Sequence, residues 1–90
     1  MQASHDESLI KLYVSQVQQL ATQADSGQNV DVEMQAVVNE ACDYFSIVSS
    51  SNAVTSRKAF KHRLKLYAAL TYKSRPKFRS ALEFAASLVY

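Results

Sequence analysis

Turn-forming residues are almost missing from this chain. Gly27 and Pro76 are its only glycine and proline in 90 residues, which excludes a turn-rich β-sandwich or barrel, since those folds need such residues at every reversal. There is a single cysteine, Cys42, so no internal disulfide framework and no cysteine-based zinc cluster can form. No apolar run approaches the roughly 20 residues a membrane-spanning helix requires. The first seven residues, Met1 to Glu7, are polar and acidic, unlike the basic start and apolar stretch of a secretory signal. A Gly-rich phosphate loop, a nucleophile elbow and spaced metal ligands are also missing; His5 and His62 stand far apart in sequence. These absences point away from an enzyme and call for no cofactor and no metal. They favour an intracellular protein, in the cytoplasm or in the nucleus or nucleoid, and disfavour a membrane partner.

What is present is helical periodicity. Hydrophobic residues make up 48% of the chain, enough for a folded globule. Ninety residues form one domain, burying roughly 60–65% of the unfolded surface. Four segments carry apolar stripes at helical spacing and no internal repeat links them. The first, about 6–24, has Ile10, Val14, Val17 and Ala21 along one face. Ser4-x-x-Glu7 reads as a capping box before it, and Gly27 suits the left-handed residue that ends it. The second, about 32–48, starts from Asn29 or Asp31 as N-cap and buries Met34, Val37, Val38, Ala41, Phe45 and Val48. Cys42 lies beside this stripe as a small core filler.

The third segment, about 54–72, places Phe60, Leu64, Tyr67 and Thr71 on one face, with Ala59, Leu66 and Leu70 beside it. Ser74-Arg75-Pro76 breaks it, because proline disfavours helix just before itself yet suits a first turn. The fourth, about 76–89, buries Phe78, Ala81, Leu82, Ala85 and Val89. The expected fold is an all-α, small antiparallel bundle of about four helices. Leu88-Val89-Tyr90 is apolar to the last residue, which predicts either that this end docks on the core or that the chain is a piece of a longer one.

Charge is divided sharply between the halves. From Ser56 onward nine Lys/Arg oppose the single Glu83, a net +8, whereas up to Thr55 Lys11 stands against seven acids, a net −6. A polarised chain of this kind attracts a polyanion or an acidic protein surface. Lys58, Lys61, His62 and Lys65 fall at i, i+3, i+4 and i+7, on one helix face with Arg57 at its edge. A solvated face ordinarily mixes signs; this one has no acid, and neighbouring like charges cost about 0.2–0.5 kcal/mol per pair. Stability alone does not account for it. Arg63 sits next to the apolar stripe, able to lay its stem along it.

A second cluster, Lys73, Arg75, Lys77 and Arg79, surrounds Pro76. Lys73 complements the end of the third helix, but the other three crowd the positive start of the fourth. Such a helix start suits a phosphate, unless acids of the first two helices cover it, with Glu33, Glu40 and Asp43 as candidates. Tyr67 and Tyr72 lie near these cations and are either core tyrosines or stacking platforms. Zinc-finger, basic-zipper and homeodomain signatures are absent, and a helix-turn-helix across Ser49–Asn52 fits poorly because the second helix is long and that turn lacks glycine.

The expectation is therefore a non-enzymatic nucleic-acid-binding bundle. Its contacts go to phosphates through Arg57, Lys58, Lys61, His62, Lys65, Lys73, Arg75, Lys77 and Arg79. The target is RNA or DNA, double-stranded RNA being one form that such a helix can read by shape. The alternative is a protein-interaction or homo-oligomeric module, a homodimer included, whose basic half meets an acidic surface.

Overall fold

The computed structural model describes residues 2–48, 53–71 and 75–89. Four α-helices follow in order: α1 (Gln2–Asp25), α2 (Asp31–Val48), α3 (Ala53–Leu70) and α4 (Pro76–Leu88). Each touches the other three, and the radius of gyration, 12.8 Å, is close to the ~12 Å expected for a packed chain of this length. The all-α bundle read from the apolar stripes is the fold observed.

The helix ends follow local chemistry, with one exception. At the end of α1 the Gln28 N–H bonds the Gln23 carbonyl at 3.1 Å and the Gly27 N–H bonds that of Ala24 at 3.0 Å. This is the Schellman pattern, which needs a left-handed residue between them; Gly27 supplies it at φ 100°. At the start of α2 the Asn29 side chain accepts the Asp31 N–H at 3.1 Å, so Asn29, not Asp31, is the capping side chain. Asp31 and Glu33 then lie in the first turn, where carboxylates complement the helix dipole. Pro76 occupies the first turn of α4, where its missing N–H costs nothing.

The exception is the start of α1. It begins at Gln2, not near Asp6, so Ser4 lies inside the helix and Ser4-x-x-Glu7 is not a capping box. Glu7 instead reaches across the bundle, where its carboxylate accepts a hydrogen bond from Arg63 of α3. The expected loop Ser49–Asn52 lies outside the described residues.

The core takes one stripe from each helix. Val17, Ala21, Met34, Val38, Ala41, Cys42, Phe45, Phe60, Leu64, Leu82 and Ala85 are completely buried, each of the larger side chains contributing about 1.5–3 kcal/mol. Aromatic edges tie three helices together. Tyr13 of α1 meets Phe45 of α2 at a centroid distance of 6.0 Å, and Phe45 meets Phe60 of α3 at 5.8 Å, both near T-shaped, the arrangement the ring quadrupoles favour. The Tyr13 hydroxyl donates to Glu40 at 3.2 Å. No buried polar side-chain atom among the described residues lacks a partner.

Helix α3 buries the expected Phe60 and Leu64 but a narrower sector than the apolar pattern suggests. Ala68 is buried, whereas Leu66 and Leu70 are 45% and 65% exposed. The core-facing sector of α3 is narrow, running through Phe60, Leu64 and Ala68, and the Leu66–Leu70 flank is left in water. Val89 is buried just after α4 and Leu88 packs against the core, so these two residues dock on the core; Tyr90 lies outside the described residues. Among the described residues no helix is long and apolar enough to cross a membrane.

Candidate nucleic-acid interface

Because Phe60, Leu64 and Ala68 turn one side of α3 inward, the opposite side must face water. Lys58, His62 and Lys65 are exposed there. From Lys58 to Lys65 the helix rises about 10 Å, close to three nucleotide steps of a strand. Lys61 is half-buried at the edge nearest α4, where its Nζ donates to the Val89 carbonyl at 3.5 Å; a cation is favourable beside those terminal carbonyls. Among the described residues, no carboxylate lies within ion-pair distance of Lys58, Lys61, His62 or Lys65.

Two basic residues of α3 leave this face. Arg63 turns to the other flank and pairs with Glu7. Arg57 is half-buried, and its charge lies near enough to Cys42 to pull that thiol's pKa down. Burial is the larger influence and Asp43 adds to it, so the Cys42 thiol is raised overall. A buried thiol held protonated is a poor nucleophile, in keeping with a core filler.

Of the three described residues of the second cluster, Arg75 and Arg79 lie beside acids, though not those expected. Asp25, at the end of α1, meets the Arg75 Nε at 3.3 Å, and the Arg75 guanidinium lies 4.0 Å above the centre of the Phe78 ring. Glu83, one turn along α4, stands 3.7 Å from the Arg79 Nε. Lys77 is exposed without a carboxylate partner among the described residues. Of the three candidate acids, Glu40 is engaged by Tyr13, while Glu33 and Asp43 are exposed on α2. Lys73 and Tyr72 lie outside the described residues. Tyr67 packs against the core, which leaves little of its ring for stacking.

Folding brings Arg79 alongside the α3 lysines. A furrow of about 440 Å³ runs along the α3–α4 seam, with Lys61, Lys65, Arg79 and Glu83 on its sides. The Arg79–Glu83 spacing of i, i+4 was a visible signal in the sequence; that both residues face Lys61 and Lys65 was not. A larger cleft of about 560 Å³ lies away from this face, between the α1–α2 turn and α4, and among the described residues only Lys77 and Asp31 charge it. Among the described residues no group of three His, Cys, Asp or Glu side chains could hold a metal ion. No protein-family model, curated protein or solved structure matches the chain.

Proposed function

We propose that the protein is a non-enzymatic nucleic-acid-binding module that grips the phosphate backbone with the exposed face of α3. The observation that carries this reading is the row Lys58, Lys61, His62 and Lys65, which runs along the helix with no carboxylate within ion-pair distance among the described residues. A phosphate strand relieves the mutual repulsion of the row and releases its own condensed counterions on contact. Such contacts position a protein on nucleic acid without reading bases, so binding should tolerate sequence. Double-stranded RNA suits a straight helix contacting phosphates and 2′-hydroxyls across its wide minor groove. Arg75 and Arg79, each beside a carboxylate, are weaker candidates than the α3 row; Lys77 remains available.

The test is fluorescence polarisation with labelled single- and double-stranded RNA and DNA between about 50 and 300 mM salt. Each phosphate contact contributes about 0.7–0.9 to the slope of log affinity on log salt. Replacing Lys58, Lys61 and Lys65 with Ala should therefore flatten that slope by about 2–3 and weaken every sequence alike. Unchanged binding in the triple variant would remove α3 from the interface.

One observation favours a second reading. Helix α2 carries no Lys or Arg, and Glu33 and Asp43 are exposed on it together with Val32 and Ile47, which are 75% and 78% exposed. An acidic helix with apolar ends is a fitting partner for the basic face of a second copy, joined head to tail. Mass that grows with protein concentration in the absence of nucleic acid, and dissociates in salt, would support it; a constant monomer mass would exclude it.

A further inference from the structure

The furrow between α3 and α4 has a construction that the basic face alone does not require. Its floor includes Ala68 and Ala86, both 2% exposed, and small residues at a helix crossing leave a channel where larger ones would raise a ridge. Lys61 and Lys65 stand on one wall, Arg79 and Glu83 on the other. Among the described residues the channel is thus lined by three cations and one carboxylate. That carboxylate lies against the cation of its own wall, with side chains 57% and 47% exposed for Glu83 and Arg79. An exposed i, i+4 pair at 3.7 Å is among the weakest of ionic contacts, so an arriving phosphate can displace it.

We propose that this furrow seats one sugar–phosphate strand, held by Lys61, Lys65 and Arg79, and that Glu83 is a built-in counter-charge which withholds Arg79 until a phosphate takes its place. This rests on the nucleic-acid reading above. The ligand chemistry is the phosphodiester backbone, shared by a free single strand and by one strand of a duplex. Glu83 raises the threshold for binding: weak or isolated anions do not release Arg79, whereas a strand already engaged by Lys61 and Lys65 does. Its charge therefore costs affinity but keeps the furrow from filling with small anions.

The experiment compares the full chain with Glu83→Gln, Arg79→Ala and the double variant, using single- and double-stranded RNA and DNA across the same salt range. Circular dichroism checks that each variant is folded. Glu83→Gln removes the carboxylate charge that opposes the strand, so the furrow presents one more net positive charge to it. The salt slope should steepen by about 0.7–0.9, which corresponds to about 5–8-fold tighter binding at 0.1 M salt. The double variant exchanges one neutral pair for another, so its slope should return to that of the natural chain. A gain with single strands only assigns the furrow to a free strand; an equal gain with duplexes assigns it to one strand of a duplex. If Glu83→Gln changes neither slope nor affinity while the α3 triple variant still loses binding, the furrow proposal fails and the α3 reading stands. If the natural chain binds none of the four probes, both fail together.

Discussion

If Lys58 and Lys65 are kept for a partner and not for the fold, removing them should make the protein more stable. Helix α3 contains no acidic residue, and both lysines are exposed without an ion-pair partner among the described residues. They flank Lys61 at i, i+3 and i, i+4, giving two like-charge neighbours on one face. Relief of two such repulsions amounts to about 0.4–1 kcal/mol at low ionic strength. Alanine, the best helix former, does not offset that gain. For a domain of this size 1 kcal/mol moves Tm by about 4–8 °C, so the double variant Lys58→Ala/Lys65→Ala should melt about 2–8 °C higher.

The assay is a pair of circular-dichroism melts for each protein, in roughly 10 mM and 1 M salt, where the screening length falls from about 30 Å to 3 Å. The stabilisation should be largest at low salt and shrink toward the small alanine contribution at high salt. A lower Tm at low salt would refute the reasoning, because the two lysines would then support the fold and the unmatched face would need no partner to explain it. A gain that salt leaves untouched would refute it too, since its origin would be helix propensity and not charge. Lys61 is left in place because its contact with the Val89 carbonyl would confuse the comparison.

The core and its titratable groups allow further tests. Phe60→Ala removes a completely buried ring that edges onto Phe45; a loss of about 3–5 kcal/mol is expected, read as a lower urea midpoint, and a loss below about 1 kcal/mol would contradict this packing. Burial, reinforced by the Glu40 carboxylate, raises the Tyr13 pKa above 10.0, and burial likewise raises Cys42 above 9.0. Both groups hold their protons more tightly when folded. Their contribution to stability is complete below those unfolded values and is lost as pH rises through the folded ones. Denaturation midpoints should accordingly fall above about pH 9–10, and Tyr13→Phe should make the fall shallower; an identical alkaline profile in that variant would exclude Tyr13 as a contributor.

Most of the helices could be read before any coordinate, because a helix depends on neighbours three and four residues apart. The row Met34, Val38, Ala41, Phe45 announces the buried face of α2, and Gly27 and Pro76 mark where α1 ends and α4 begins, each through backbone geometry that is local. Ser4-x-x-Glu7 misled for the same reason: it satisfies a local pattern, but α1 continues to Gln2 and Glu7 commits its charge to Arg63. That partner is 56 residues away, and no spacing rule reaches so far.

The charge asymmetry, the helical class and the single basic face of α3 belong to the sequence by itself, since composition and 3.6-residue periodicity decide them. Which acids meet Arg63 and Arg75 was decided only by packing. Asp25, not Glu33, Glu40 or Asp43, reaches Arg75 because the end of α1 meets the start of α4. Arg57 is half-buried, Leu66 and Leu70 stay in water, and Arg79 joins Lys61 and Lys65 across a seam floored with alanine. A helix can rotate about its axis at little cost in its own hydrogen bonds. Only the fit of side chains against three neighbours fixes that rotation, and with it the identity of every long-range pair.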